Sequence, residues 1–362
     1  MTNNHPTLRH LIHVFGVLFV MVGWTVTALA QTEHGLVSSL QAATPENPLE
    51  VAVGVRVDQI TDVNQKSENF GVVANLRLEW TDPMLVFDAH EFGRDFKTYT
   101  IPAFTRFVDE NAILAPAFVI HNQQGRRFSE ENSVTVFADG HAVYVERFST
   151  ILQAPNFNFV QYPLDSQQFF IHIDSTWPNG YVRFQAMQEY SGLGEQLGEE
   201  AWNFEETWAK VSEADGITGN PSSRFTLGFI GYRHLDYYVL RIFIPLTIII
   251  LVSWVTFFLR DFSKRIDIGS GNLLVFVAFN FTISDNLPQL GYVTFLDSIL
   301  VVTFVLTGLV VITNVVFRRM EFSGRETLAR QIDKYTIWIY PVGLAMLVLL
   351  CWYLYEWLPG NR

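Results

Sequence analysis

The chain of 362 residues contains a single cysteine, Cys351. No intrachain disulfide can form, whatever compartment the protein occupies. The CxxC pairs and mixed His/Cys spacings of structural zinc sites are excluded with it. The glycine-rich GxGxxG and Walker patterns and the GxSxG nucleophile elbow are missing too, so neither a nucleotide site nor an enzymatic nucleophile is indicated. No cofactor is expected. Basic residues are scarce: 24 Lys and Arg stand against 36 Asp and Glu, a formal charge of −12. That balance argues against nucleic acid as a partner, because phosphate binding needs a basic surface. An acidic total suits the gathering of cations or protons at an outer surface, and it also serves solubility. There is no internal repeat and no low-complexity tract.

What the chain has in quantity is apolar residues, 49% of the total, concentrated at its two ends. Arg9 and His10 precede an apolar run from Val14 to Val26, and Ala28-Leu29-Ala30 follows it. This is the layout of a secretory signal cleaved before Gln31, and residues 1–30 are set aside from the fold on that reading. The run is short for a membrane anchor. From Pro48 to Asp236 the texture alternates, as in VAVGVRVDQI and SVTVFADGHAVYVERF, with turn clusters such as Asp139-Gly140 and Pro178-Asn179-Gly180 between the runs. About ten short strands, without a clear long amphipathic helix, predict an all-β sandwich of immunoglobulin-like type over residues 31–236.

Residues 237–362 carry four apolar segments, about Tyr237–Leu259, Ile266–Ile283, Thr294–Phe317 and Tyr335–Trp357. An all-α four-helix membrane domain is the expectation. The first connector holds Arg260, Lys264 and Arg265; the third holds Arg318, Arg319, Arg325, Arg330 and Lys334; the second, Asp285–Val293, has no Lys or Arg. Positive charge favours the cytoplasmic side, so connectors one and three lie inside, and the β domain and C-terminus outside. The signal peptide requires the same orientation. Pro245, within the first segment, must kink it or be accommodated by neighbours.

The second segment organises the rest. Asp267, Gly271, Leu274, Ala278, Phe281 and Asp285 recur at spacings of four and three, which is one face of an α-helix. The two acids lie roughly 27 Å apart along the axis, close to the bilayer's hydrocarbon thickness. An ionisable residue at that depth points to function, because leaving it in lipid is expensive. Two readings of this stripe stand: a pore-lining helix with acidic rings near both mouths, or a polar helix buried in a monomeric bundle.

Other motifs join it. Trp80, Asp82 and Leu85 form a Trp-x-Asp-x-x-Leu element; Ile101-Pro102 is followed by Arg106-Phe107-Val108; Tyr162-Pro163-Leu164-Asp165-Ser166-Gln167 reads aromatic-Pro-x-Asp-x-Gln. Arg233 precedes the first apolar segment and Asn286-Leu287-Pro288 follows the second. In this order the motifs resemble those of the pentameric ligand-gated ion channels, the Cys-loop receptor superfamily, over nearly the whole mature chain. Pro155 and Phe169 stand where the animal members have the loop cysteines, and the third connector is short, so the resemblance is to the bacterial branch.

The resemblance implies a homo-pentamer in the cell (inner) membrane, in contact with lipid, with its N-terminal domain and C-terminus periplasmic. Each copy would lend its second span to a central pore. Asp267 would ring the cytoplasmic end and favour cations, monovalent ones first, with Lys264 and Arg265 flanking it. Leu274 and Phe281 would be apolar constrictions, or simple packing residues. Asp165 and Arg233 would couple the two domains, with Glu68, Pro163 and Pro288 beside them. Agonist sites would lie between subunits beneath a hairpin over Ser212–Ser223, which has no aromatic residue of its own. Trp177, Phe107 and Phe225 could cage an ammonium; Arg77 and Arg106 suit a carboxylate; Glu68, His141, His172 and His234 could answer to protons. A membrane-anchored sensor without conduction is the competing function, and it has no need of a polar stripe. No catalytic constellation supports an enzyme, and no inverted repeat supports a transporter.

Overall fold

The computed structural model describes residues 47–216, 219–284 and 290–357. The expected signal peptide, Asp285 and Pro288 lie outside the described residues. Among the described residues, eleven strands build the first half of the molecule. Strand β1 (Leu49–Asn64) turns into β2 (Asn69–Thr81). Their alternation is the cause of their placement: Val51, Val53, Val55 and Val57 on one strand, and Phe70, Val72, Ala74, Leu76 and Leu78 on the other, are all buried on the inner face. A short helix α1 (Ala89–Phe92) leads to β3 (Phe96–Tyr99). Then come β4 (Phe118–Ile120), β5 (Gln123–Phe137) and β6 (His141–Gln153). The Asp139-Gly140 hairpin forms as expected between β5 and β6, with Gly140 at φ 86°. A Cβ there would sit 2.6 Å from the Asp82 carbonyl oxygen, so the turn needs glycine twice over.

Strands β7 (Ser166–Pro178), β8 (Val182–Ala186), β9 (Gly192–Leu193), β10 (Trp202–Asp215) and β11 (Pro221–Arg233) complete the domain. The larger sheet runs β3-β5-β6-β2-β1-β8 with β9 also on β1, and the smaller runs β10-β11-β7-β4. Between them Phe169 stacks on Phe229 at 5.2 Å, and Phe70 meets Phe169 edge-on at 5.1 Å. Phe169, which stands where the animal members of the resembled family have a loop cysteine, is a fully buried ring. The segment after β3 is an amphipathic helix, α2 (Ile101–Glu110), which buries Phe104 and Val108 one turn apart. Pro102 lies in its first turn, where a missing N–H costs nothing.

Among the described residues, four helices long and apolar enough to cross a membrane follow: α3 (Asp236–Thr256), α4 (Phe262–Ser284), α5 (Phe295–Phe322) and α6 (Glu326–Trp357). Pro245 is accommodated within α3, where a π-helical turn over Val239–Phe243 immediately precedes it. The wider turn absorbs the hydrogen bond that proline cannot make. Helix α4 starts at Phe262, a turn earlier than its apolar run, so the basic connector is itself helical.

Candidate functional sites

Among the described residues, the loop 154–165 between β6 and β7 meets the helices at the base of the sandwich. Asp165, at its end, faces Arg233, the last residue of β11. Nε of Arg233 donates to Oδ1 of Asp165 at 2.9 Å and a terminal nitrogen donates to Oδ2 at 3.1 Å, with both side chains no more than 3% exposed. Gln167 donates to the same carboxylate. Three rings surround the guanidinium: Trp202 at 4.3 Å, Tyr162 at 4.7 Å and Phe159 at 5.7 Å. Burial works against the charge of Arg233, but the Asp165 carboxylate outweighs it and the pKa ends above the ordinary arginine value. Burial and the Tyr238 hydroxyl push the Tyr162 phenol well above its usual range, so it stays neutral. Its hydroxyl donates to that of Tyr238, at the start of α3, over 3.2 Å.

The same loop caps a helix. Thr294 and Asp297 form a capping box at the N-terminus of α5. The next main-chain N–H groups, which no intrahelical acceptor can reach, are taken by the loop: Phe295 donates to the Val160 carbonyl at 2.9 Å and Leu296 to the Tyr162 carbonyl at 3.2 Å. In the other direction, the Tyr292 hydroxyl accepts from the Phe159 N–H at 3.1 Å. Pro163 is buried at this junction. Glu68 does not join the pair as expected. Its carbonyl accepts from Ala154 at 2.7 Å, which braces the loop, while the residue itself is exposed.

Helix α4 divides its polar residues between two faces. Phe262, Arg265, Gly269, Asn272, Phe276 and Ile283 are buried against the other helices. Asn272 donates to the Ile249 carbonyl and to the Ser253 hydroxyl of α3, each at 2.8 Å, so it is a packing residue. Asp267, Gly271, Leu274, Ala278 and Phe281 are exposed, Leu274 and Phe281 to 70% and 73%. A Cβ at Gly271 would meet nothing within 4 Å. Within one protomer, then, the stripe is not buried in the bundle. Arg265 is corrected: it is buried and turned away from Asp267, whereas Lys264 is exposed.

The expected agonist residues separate into three environments. Arg77, on β2, donates to Glu79 at 2.5 Å and lies 5.7 Å from the Tyr190 ring centre. Arg106 is exposed on α2, and Phe107 stacks on Tyr99 at 5.5 Å. Trp177, at the end of β7, donates its indole N–H to the Ala115 carbonyl at 3.0 Å. It lines a cavity of about 280 Å³ with Trp80, Phe104, Phe118 and Tyr144. Phe225 is the correction here. It is fully buried between the sheets, where alternation along β11 puts it, and no ligand can touch it without opening the core. The hairpin joining β10 to β11 is tied to the turn beyond Trp177. Asn179 donates its N–H to the Pro221 carbonyl at 2.9 Å and accepts from the Ser223 hydroxyl at 2.7 Å. Sequence reasoning missed a second charge cluster: Arg224 grips Asp174 through two bonds of 2.6 Å, and His121 approaches the same carboxylate at 3.1 Å. Arg224 and Asp174 are opposite each other in the β11–β7 register, which only the pairing reveals.

Comparison with known proteins gives the context of this geometry. Residues 35–222 match the family described as neurotransmitter-gated ion-channel ligand binding domain. The chain is similar to a proton-gated ion channel of Gloeobacter violaceus, 25% identical over 299 residues, covering 82% of this chain and 80% of that protein. It is also similar to a gamma-aminobutyric acid receptor subunit beta of Lymnaea stagnalis, 23% identical over 272 residues, 71% of this chain and 53% of the subunit. A subunit rho-2 of Homo sapiens is 23% identical over 285 residues, 72% of this chain and 56% of the subunit. The chain therefore spans most of the Gloeobacter protein but little more than half of these receptor subunits.

Proposed function

Because this chain belongs to the neurotransmitter-gated ion-channel family, we propose that it forms a homo-pentameric, cation-selective channel opened by a small molecule or by protons. It is a multi-pass membrane protein with an extracellular ligand-binding domain, not an enzyme. On this reading residues 1–30 are its signal peptide, 31–236 its ligand-binding domain in the periplasm and 237–362 its pore domain in the inner membrane. The observation that carries the reading is the stripe of α4, exposed in the protomer although the helix buries its opposite face. A carboxylate stripe in contact with lipid is expensive, and a ring of copies around water removes that cost. Asp267 then supplies a ring of carboxylates that attracts cations, while Leu274 and Phe281 narrow an apolar bore. Asp285 would ring the outer mouth.

Agonist would bind between neighbouring extracellular domains, with Trp177, Phe107 and Arg106 on one side and Arg77 on the other. Movement there would reach the helices through Asp165, Arg233 and the loop capping α5, with Pro163 and Pro288 at the junction. The test is purified full-length protein in a planar bilayer, screened against pH and against small amines and carboxylates. Discrete cation currents from a pentamer of measured mass are expected. A folded protein that stays monomeric in mild detergent, or that never conducts, would favour a sensor and sink the channel.

A further inference from the structure

The charge presented at the inner mouth of the proposed pore depends on how α4 is turned about its own axis. Arg265 and Asp267 are two residues apart, so their side chains leave the helix roughly 160° apart. Asp267 is exposed; Arg265 is 3% exposed. The guanidinium is engaged on every edge. Its Nε donates to the Leu259 carbonyl at 2.6 Å, and its two terminal nitrogens donate to Oδ1 and Oδ2 of Asp333 at 2.5 and 2.8 Å. A weaker bond reaches Oδ1 of Asn314 at 3.5 Å, and the Phe262 ring lies 4.9 Å away. These partners come from the connector before α4, from α5 and from α6. A planar fork matched to a carboxylate fixes direction as well as distance.

We infer that Asp333 of α6 is a positioning residue for ion selection: by clamping Arg265 it keeps a guanidinium out of the permeation path and turns Asp267 into it. The inference rests on the reading of α4 as the pore helix. Lys264 is exposed and lies within about 60° of Asp267 around the helix, one turn nearer the cytoplasm. With Arg265 withdrawn, the first turns of α4 expose one base, Lys264, and one acid, Asp267, in each copy. With Arg265 released, bases outnumber acids. The sign of the mouth is therefore set by a residue on a helix that does not line it. Without Asp333 the buried guanidinium is uncompensated, and its long stem can reach water once α4 rolls.

The test uses full-length protein in which Cys351, the only cysteine, is changed to alanine. Asp267→Cys is then added, and its modification by a charged thiol reagent from the cytoplasmic side is timed in open channels. The native pair should allow rapid modification; none at all would defeat the pore reading of α4 itself. Asp333→Asn should slow modification about tenfold, and with Asp267 intact it should move the reversal potential towards anions. The exchange Arg265→Asp with Asp333→Arg keeps the pair, so it should assemble and return the rate to within about threefold of the native value. Equal rates with and without Asp333 in assembled pentamers overturn the inference. So does an exchange that fails to assemble, or one that assembles without restoring the rate.

Discussion

Arg233 and Asp165 are joined by two near-parallel hydrogen bonds of 2.9 and 3.1 Å, in a site from which both side chains exclude nearly all solvent. One ends the last strand before the membrane helices; the other ends the loop whose carbonyls cap α5. Removing either partner leaves a buried charge uncompensated, at a cost of about 3–5 kcal/mol. Asp165→Asn and Arg233→Gln should each impair assembly or opening, and the double variant should lose less than the two single losses added. A double-mutant cycle on channel opening measures this coupling. Strict additivity among assembled variants would mean that the residues do not act as a pair.

Much of this was legible in the sequence where periodicity and charge carry the information. The sheet strands follow the alternation of residues such as Val51 to Val57, and the stripe from Asp267 to Phe281 follows helical spacing. Asp165 and Arg233 were paired on the resemblance, 68 residues apart, and the contact is there. Three things were not legible. Phe225 reads as an available aromatic until strand register buries it. Arg265 reads as a cytoplasmic anchor, because its partner Asp333 is 68 residues away on another helix. Helix α2 is too short for its periodicity to stand out among the strands, although Pro102 is well suited to a first helical turn.

The agonist residues can be separated by their burial. Phe225→Ala should cost about 3–5 kcal/mol of stability, the usual loss for a buried ring, and should lower the thermal midpoint whether or not agonist is present. Arg77→Ala removes a partly exposed side chain bonded to Glu79, so its effect on stability should be under about 1 kcal/mol. Its effect should appear instead as a shifted agonist concentration dependence. Unchanged agonist response in Arg77→Ala would remove that residue from the site.

His172 supplies a pH prediction. Burial, reinforced by Arg224, pushes its pKa from 6.5 down to about 4, while Nδ1 stays 2.9 Å from the Thr226 hydroxyl. Between those values the unfolded chain binds more protons than the folded one, so stability rises with pH. The contribution is complete above pH 6.5 and is lost as pH falls towards about 4. Thermal midpoints measured across this window should decline less steeply in His172→Gln than in the unaltered protein. Parallel curves would show that His172 does not contribute to acid sensitivity.

The central claim is that Asp267 lines a cation-conducting pore, and one current measurement tests it most directly. Purified Asp267→Lys protein is placed in a planar bilayer with a salt gradient, and its reversal potential is compared with that of the unaltered channel. A ring of carboxylates replaced by ammonium groups at the narrow inner mouth should move the reversal potential from the cation side towards the anion side. A conducting Asp267→Lys pentamer with an unchanged reversal potential would contradict the account, because Asp267 would then lie outside the permeation path.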